Sequence, residues 1–341
     1  MNENRKSDDN GIDKDYLSAD KVLCMKGVFA IGVLLHHLFQ YSGIVKWGTM
    51  LGNTLQALGY LSVGMFFFYS GYGLKASSEK EGYVKSFLPR RLLPLYIFYV
   101  VLIGIYYTWS LICGYGITSE LIVRSFFFGE TIVRLGWFLQ VTFVLYLLFW
   151  TIFSLCKSNR LRIGLMLLAL VSYSVICNLL GLDSIWYEGI YCFWFGILWH
   201  EYRKKIDKAF MKCFFGVLGA FIILFVFFFI LQYKMQLVFV YKDVFKIISA
   251  IMFACMINTF SYIFRNTRII DNVCLKFLGR NSIGLYVSQG LFLMMRSGTN
   301  IHIDDAYIFV IITVLGSLLV GFFVTALYRG IVKIIRRICK I

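Results

Sequence analysis

Ten apolar runs of roughly twenty residues recur along the 341-residue chain, near residues 22–40, 55–74, 92–113, 136–156, 162–180, 185–201, 213–232, 244–264, 281–297 and 306–327. Each is about the length a helix needs to cross the hydrocarbon core of a bilayer. No water reaches backbone N–H and C=O groups there, so a chain made of such runs must become either a helix bundle or a closed barrel. Barrel strands would alternate apolar and polar side chains over about ten positions, and these runs do not. The pattern therefore predicts an all-α, polytopic integral membrane protein of about ten transmembrane helices. Residues 1–21 are expected to form a polar tail ahead of a membrane domain at 22–341.

Composition excludes the soluble alternatives. With 60% apolar and only 15% charged residues, and a mean hydropathy of +0.75, the chain is too oily for water-soluble domains. Of its 34 lysines and arginines, 26 fall in the amino-terminal tail, the carboxyl end and alternate connections. Six (Lys46, Arg124, Arg134, Lys234, Lys242 and Arg296) fall in the other connections. The positive-inside rule then places both termini in the cytoplasm. The net charge of +16 reads as loops facing anionic lipid. No basic cluster interleaves with aromatics, so nucleic acid is not an expected partner. The nine cysteines are scattered without a CxxC spacing and read as small hydrophobes. The first run lacks a small-residue cleavage pattern and is expected to stay as the first span.

That first run, MKGVFAIGVLLHHLFQYSG from residue 25, carries Lys26, His36 and His37. Ionisable side chains are costly in hydrocarbon and mark functional paths. Lys26 and His37 are eleven residues apart, about three helical turns, which puts them within ~20° of one face and ~16 Å apart. His36 points some 100° away. A cation at the inner mouth with a base above it suits a ligand that is anionic at one end and reactive at the other. The plainer alternative is a snorkelling lysine and histidines bonded to carbonyls. Adjacent histidines face different ways on a helix, and His200 and His302 fall on opposite membrane sides in this topology, so no metal site is expected.

Further strings extend the pattern. The second run holds MFFFYSGYGL, and the third is entered through FLPRRLLPLYIFY. GWFLQVTFVLY, FWFGILWHEYRKKI and FLGRNSIGLYVSQ follow in order. Together with the Lys26 to His37 spacing, the chain resembles acyltransferase family 3, multi-pass membrane enzymes that acylate cell-surface glycans and related acceptors. The resemblance spans nearly the whole chain. Lysine stands at Lys26 where the family usually has arginine. Arg90 and Arg91 are adjacent where the family often has two arginines three apart, and Gln289 stands where it often has histidine.

The resemblance implies a membrane-bound O-acyltransferase of the bacterial plasma membrane, with acetyl-coenzyme A as donor and a polysaccharide or lipid-linked sugar as acceptor. It implies His37 as general base. Lys26, Arg90 and Arg91 would neutralise the donor's phosphates, although the arginines also satisfy the positive-inside rule unaided. Glu130, Trp137 and Tyr286 are the candidate acceptor contacts. Trp137 could equally anchor at the interface and Tyr286 pack between helices. Glu188 could orient a histidine or bind acceptor hydroxyls. Asn281 and Ser282 read as helix caps. The chain stops soon after the tenth run, so any extracytoplasmic transfer partner is expected to be a separate protein. The competing reading is a multi-pass transporter or flippase for a glycan precursor, which would favour repeats and Gly/Pro-broken helices. No repeat stands out, and the two prolines, Pro89 and Pro94, lie at one entry.

Overall fold

The computed structural model describes residues 15–234, 239–267 and 271–340. The first fourteen residues of the expected tail lie outside the described residues. Among the described residues every regular element is helical: α1 (Ala19–Ser42), α2 (Met50–Ser78), α3 (Leu93–Cys113), α4 (Ser119–Arg124), α5 (Trp137–Leu155), α6 (Asn159–Leu179), α7 (Tyr191–Lys234), α8 (Phe239–Ile263), α9 (Val273–Arg280), α10 (Ser282–Met294) and α11 (Ala306–Ile338). Polar residues start several of them. Thr49 Oγ1 accepts from the Gly52 amide at 3.0 Å to open α2. Asp305 Oδ1 accepts from the Tyr307 and Ile308 amides, each at 2.8 Å, to open α11. These are the orphan donors that hydrocarbon would leave unpaired.

Among the described residues seven helices are long and apolar enough to cross a membrane. Three of the ten runs are not counted separately among these seven, for local reasons. Runs 185–201 and 213–232 follow one another in α7, where two helical stretches are joined across a kink at Cys213 (φ −149°, ψ 61°). Helix α2 is long, at 29 residues, but glycine and hydroxyl residues dilute its apolarity. Helix α10 has only 13 residues.

The bundle is apolar on its outside. Ile311, Leu315, Leu319 and Phe323 repeat every four residues on α11 and are exposed, as are Ile223 and Phe227 on α7 and Leu168, Val171 and Val175 on α6. Water would not tolerate such patches, whereas lipid does. The inward face of α11 carries Thr313, Ser317, Gly321 and Thr325 instead. Small residues let helices approach closely where lipid gives no hydrophobic drive to associate. Ser288 Oγ of α10 donates to the Ser317 carbonyl at 3.0 Å. The Gly284 amide donates to Thr325 Oγ1 at 3.2 Å. Helices α2 and α7 meet as tightly: a Cβ at Gly71 would strike the Phe193 carbonyl, and one at Gly196 the Phe68 carbonyl.

One ion-pair knot ties α2 to α7. Lys75 is 2% exposed, and its Nζ lies 2.9 Å from Glu79 and 3.0 Å from Glu201. Glu201 also accepts from Asn159 Nδ2 of α6 at 3.1 Å. Lys75→Ala would leave two carboxylates facing each other with no cation between them. The expected loss is about 2 kcal/mol, below that of a fully buried pair because the carboxylates are partly wet. A lower melting temperature in detergent is the expected result.

Candidate active site

Two adjoining cavities run through the bundle. The larger, of about 410 Å³, is lined by His36, His37, Gln40 and Tyr41 of α1, Gln56 and Tyr60 of α2, and Arg134, Trp137, Glu188, Gln232, Lys246 and Tyr286. The smaller, of about 150 Å³, is lined by Lys26, Ser70, Arg91, Thr142, Tyr146, Ser282 and Tyr328 among others. Val63 and Tyr286 line both. Helix α1 therefore presents Lys26 to one chamber and His37 to the other, as the three-turn spacing predicts.

His37 is buried, and its Nδ1 lies 2.8 Å from Gln289 Oε1 on α10. An amide oxygen only accepts, so Nδ1 carries the proton and Nε2 keeps its lone pair. Tyr286, one turn earlier on α10, sets its ring 6.2 Å from the His37 ring. The Tyr286 hydroxyl donates to the Leu135 carbonyl at 3.1 Å. His36 turns toward α2, where its Nδ1 donates to the Leu55 carbonyl at 3.1 Å. It packs against Gly59, where a Cβ would meet the imidazole at 2.6 Å.

In the Lys26 chamber, Arg91 Nε donates to the Tyr83 hydroxyl at 3.2 Å. The Arg91 side chain reaches the chamber and that of Arg90 does not. Among the described residues the Lys26 ammonium has no hydrogen-bond or ion-pair partner. A wide helical turn at Leu88–Leu92 brings these arginines to the entry of α3. The Leu93 amide donates back to the Leu88 carbonyl there. Pro89 sits at the start of this turn, where it has no amide hydrogen to lose.

The other expected site residues divide. Trp137, at the start of α5, and Tyr286 line the His37 chamber. Glu130 does not: it is exposed and paired with Arg124 at 3.0 Å. Asn281 makes no side-chain cap, and its Nδ2 donates to the Phe277 carbonyl at 2.8 Å. Ser282 lines the Lys26 chamber rather than capping.

Residues that sequence reasoning passed over complete the His37 chamber. Lys246 of α8 meets Glu188 at 2.5 Å, and Ser184 Oγ donates to the same carboxylate at 3.0 Å. Arg134 donates to the Tyr41 hydroxyl at 3.0 Å. Gln232 Nε2 donates to the Tyr60 hydroxyl at 3.0 Å. The available signal was a lysine inside an apolar run at position 246, but the run alone named no partner for it. The resulting chamber is polar on several sides, with amides, hydroxyls and one ion pair around an imidazole. Such a lining can bind a polyhydroxylated molecule and accept a proton from one of its hydroxyls.

The profile of a family described as an acyltransferase domain matches residues 20–328, nearly the whole chain. No curated protein and no solved structure matches it.

Proposed function

The chain belongs to acyltransferase family 3, and from that premise we propose that it moves an acetyl group from acetyl-coenzyme A to a hydroxyl of a cell-surface polysaccharide or lipid-linked sugar. His37 is the general base. Both termini and the Lys26 chamber face the cytoplasm, and the His37 chamber faces outward across the bacterial plasma membrane. The observation that carries the reading is that the two chambers share Val63 and Tyr286. A thioester arm anchored among cations on one side thus has a base within reach on the other.

The donor's phosphates are held by Lys26 and Arg91, where charge-assisted hydrogen bonds are strong. Arg90 adds positive potential from outside the chamber. The narrow Lys26 chamber admits the pantetheine arm and excludes bulk water from the thioester. In the His37 chamber the acceptor hydroxyl gives its proton to His37 Nε2 as its oxygen attacks the thioester carbonyl. The tetrahedral intermediate collapses, the C–S bond breaks, and the departing thiolate takes the proton back from the imidazolium. Gln289 holds Nδ1–H throughout and so keeps the ring turned toward the substrate. Transfer is direct, with no acyl-histidine.

Protein in neutral lipid discs, supplied with radiolabelled acetyl-coenzyme A and cell-envelope acceptors, should release free thiol and label the glycan. A transporter would do neither, and absence of both would overturn the reading. Lys26→Gln and Arg91→Gln are each expected to raise KM for acetyl-coenzyme A about tenfold with kcat less affected, the mark of lost ground-state binding. Arg90→Gln should change KM less than Arg91→Gln, because only Arg91 reaches the chamber.

A further inference from the structure

Among the described residues the His37 chamber is lined by three fixed charges: Glu188, Lys246 and Arg134. Glu188 and Lys246 neutralise each other at 2.5 Å. Arg134 has no carboxylate partner among the described residues. Its Nη2 donates to the Tyr41 hydroxyl at 3.0 Å, and its guanidinium lies 5.4 Å from the centre of the Tyr41 ring. It is only half-buried, so it keeps several N–H donors for something else.

Its placement is fixed from behind. Leu135, the next residue, has φ 67°, in the left-handed region that costs a side-chain-bearing residue about 1 kcal/mol or more. The Tyr286 hydroxyl holds that turn through the Leu135 carbonyl at 3.1 Å. Strained backbone held by a buried tyrosine is found where a side chain's direction matters.

Distance then limits what Arg134 can recognise. Tyr41 lies four residues beyond His37 on the same face of α1, a rise of about 6 Å. The guanidinium lies a further 5.4 Å from the Tyr41 ring centre, in the chamber it shares with His37. We infer that the acceptor is an anionic sugar, carrying a carboxylate or a phosphate that enters the same chamber as the hydroxyl that is acylated, with Arg134 reading the charge. The inference rests on the acyl-transfer reading above and narrows its acceptor. A neutral sugar offers the guanidinium only hydroxyl acceptors, whereas a carboxylate or phosphate adds a charge-assisted bond.

The test measures binding rather than turnover. The protein in neutral detergent is titrated calorimetrically, at matched ionic strength, with sodium glucuronate, glucose 1-phosphate and methyl glucoside. At least one anionic sugar should bind about tenfold or more tightly than the glucoside. Arg134→Gln should remove that preference, and Arg134→Lys should keep part of it. Equal binding of all three, no binding of either anion, or a preference that survives Arg134→Gln overturns the inference. Melting temperature shows whether each variant is folded, and Tyr41→Phe, which frees the guanidinium without removing it, should keep the preference if Arg134→Gln fails to fold. Thiol release from acetyl-coenzyme A, followed separately, reports on the acyl-transfer reading itself.

Discussion

His37→Ala is expected to lower acetyl transfer by about 10²–10⁴-fold, the range spanned by removal of a general base. The loss should fall on kcat, because Lys26 and Arg91, the proposed donor contacts, line the other chamber and are untouched. His36→Ala is the matched control. Its ring lines the same chamber, but its Nδ1 is engaged with the Leu55 carbonyl at 3.1 Å between α1 and α2. That variant should lose far less activity and show most of its effect as a lower melting temperature. Equal losses in the two variants would mean that the imidazoles serve packing. Full activity without His37 would remove it from the mechanism.

Gln289→Leu should cost about 10–100-fold in kcat, comparable with loss of a partner that orients an active group. Leucine preserves much of the volume but leaves the His37 Nδ1–H unpaired inside the protein. The ring is then free to rotate or to exchange its tautomer, and Nε2 presents a lone pair for only part of the time. Gln289→His should restore most of the activity, since a ring nitrogen can accept the same bond. A purely structural role for Gln289 would instead lower stability in both variants without separating their kcat values. Single-turnover kinetics under saturating acetyl-coenzyme A distinguishes these outcomes.

What was legible in the sequence followed from local rules. Hydrocarbon demands internally paired backbone, so twenty-residue apolar runs had to be helices, and α1, α3, α5, α6, α8 and α11 lie where those runs are. Helical periodicity also placed Lys26 and His37 on one stripe, since that depends on nothing beyond 3.6 residues per turn. The ordered strings along the chain pointed to the family, and the family profile matches residues 20–328.

The rest belongs to contacts between helices distant in sequence. Gln289 lies 252 residues from His37, and no local pattern could bring its amide within 2.8 Å of the imidazole. Lys246 read as a lone lysine in an apolar run until packing set it against Glu188. Arg134 counted as one more basic residue in a connection, and only the packing of that connection against Tyr41 of α1 shows it lining the chamber. Glu130 is exposed and paired with Arg124, a contact that the sequence alone did not name. By itself the sequence determined the helices and the stripe on α1, because backbone pairing and helical pitch are local. Only the tertiary structure decided which side chains meet around His37, because in a bundle the partners are chosen by which faces pack together.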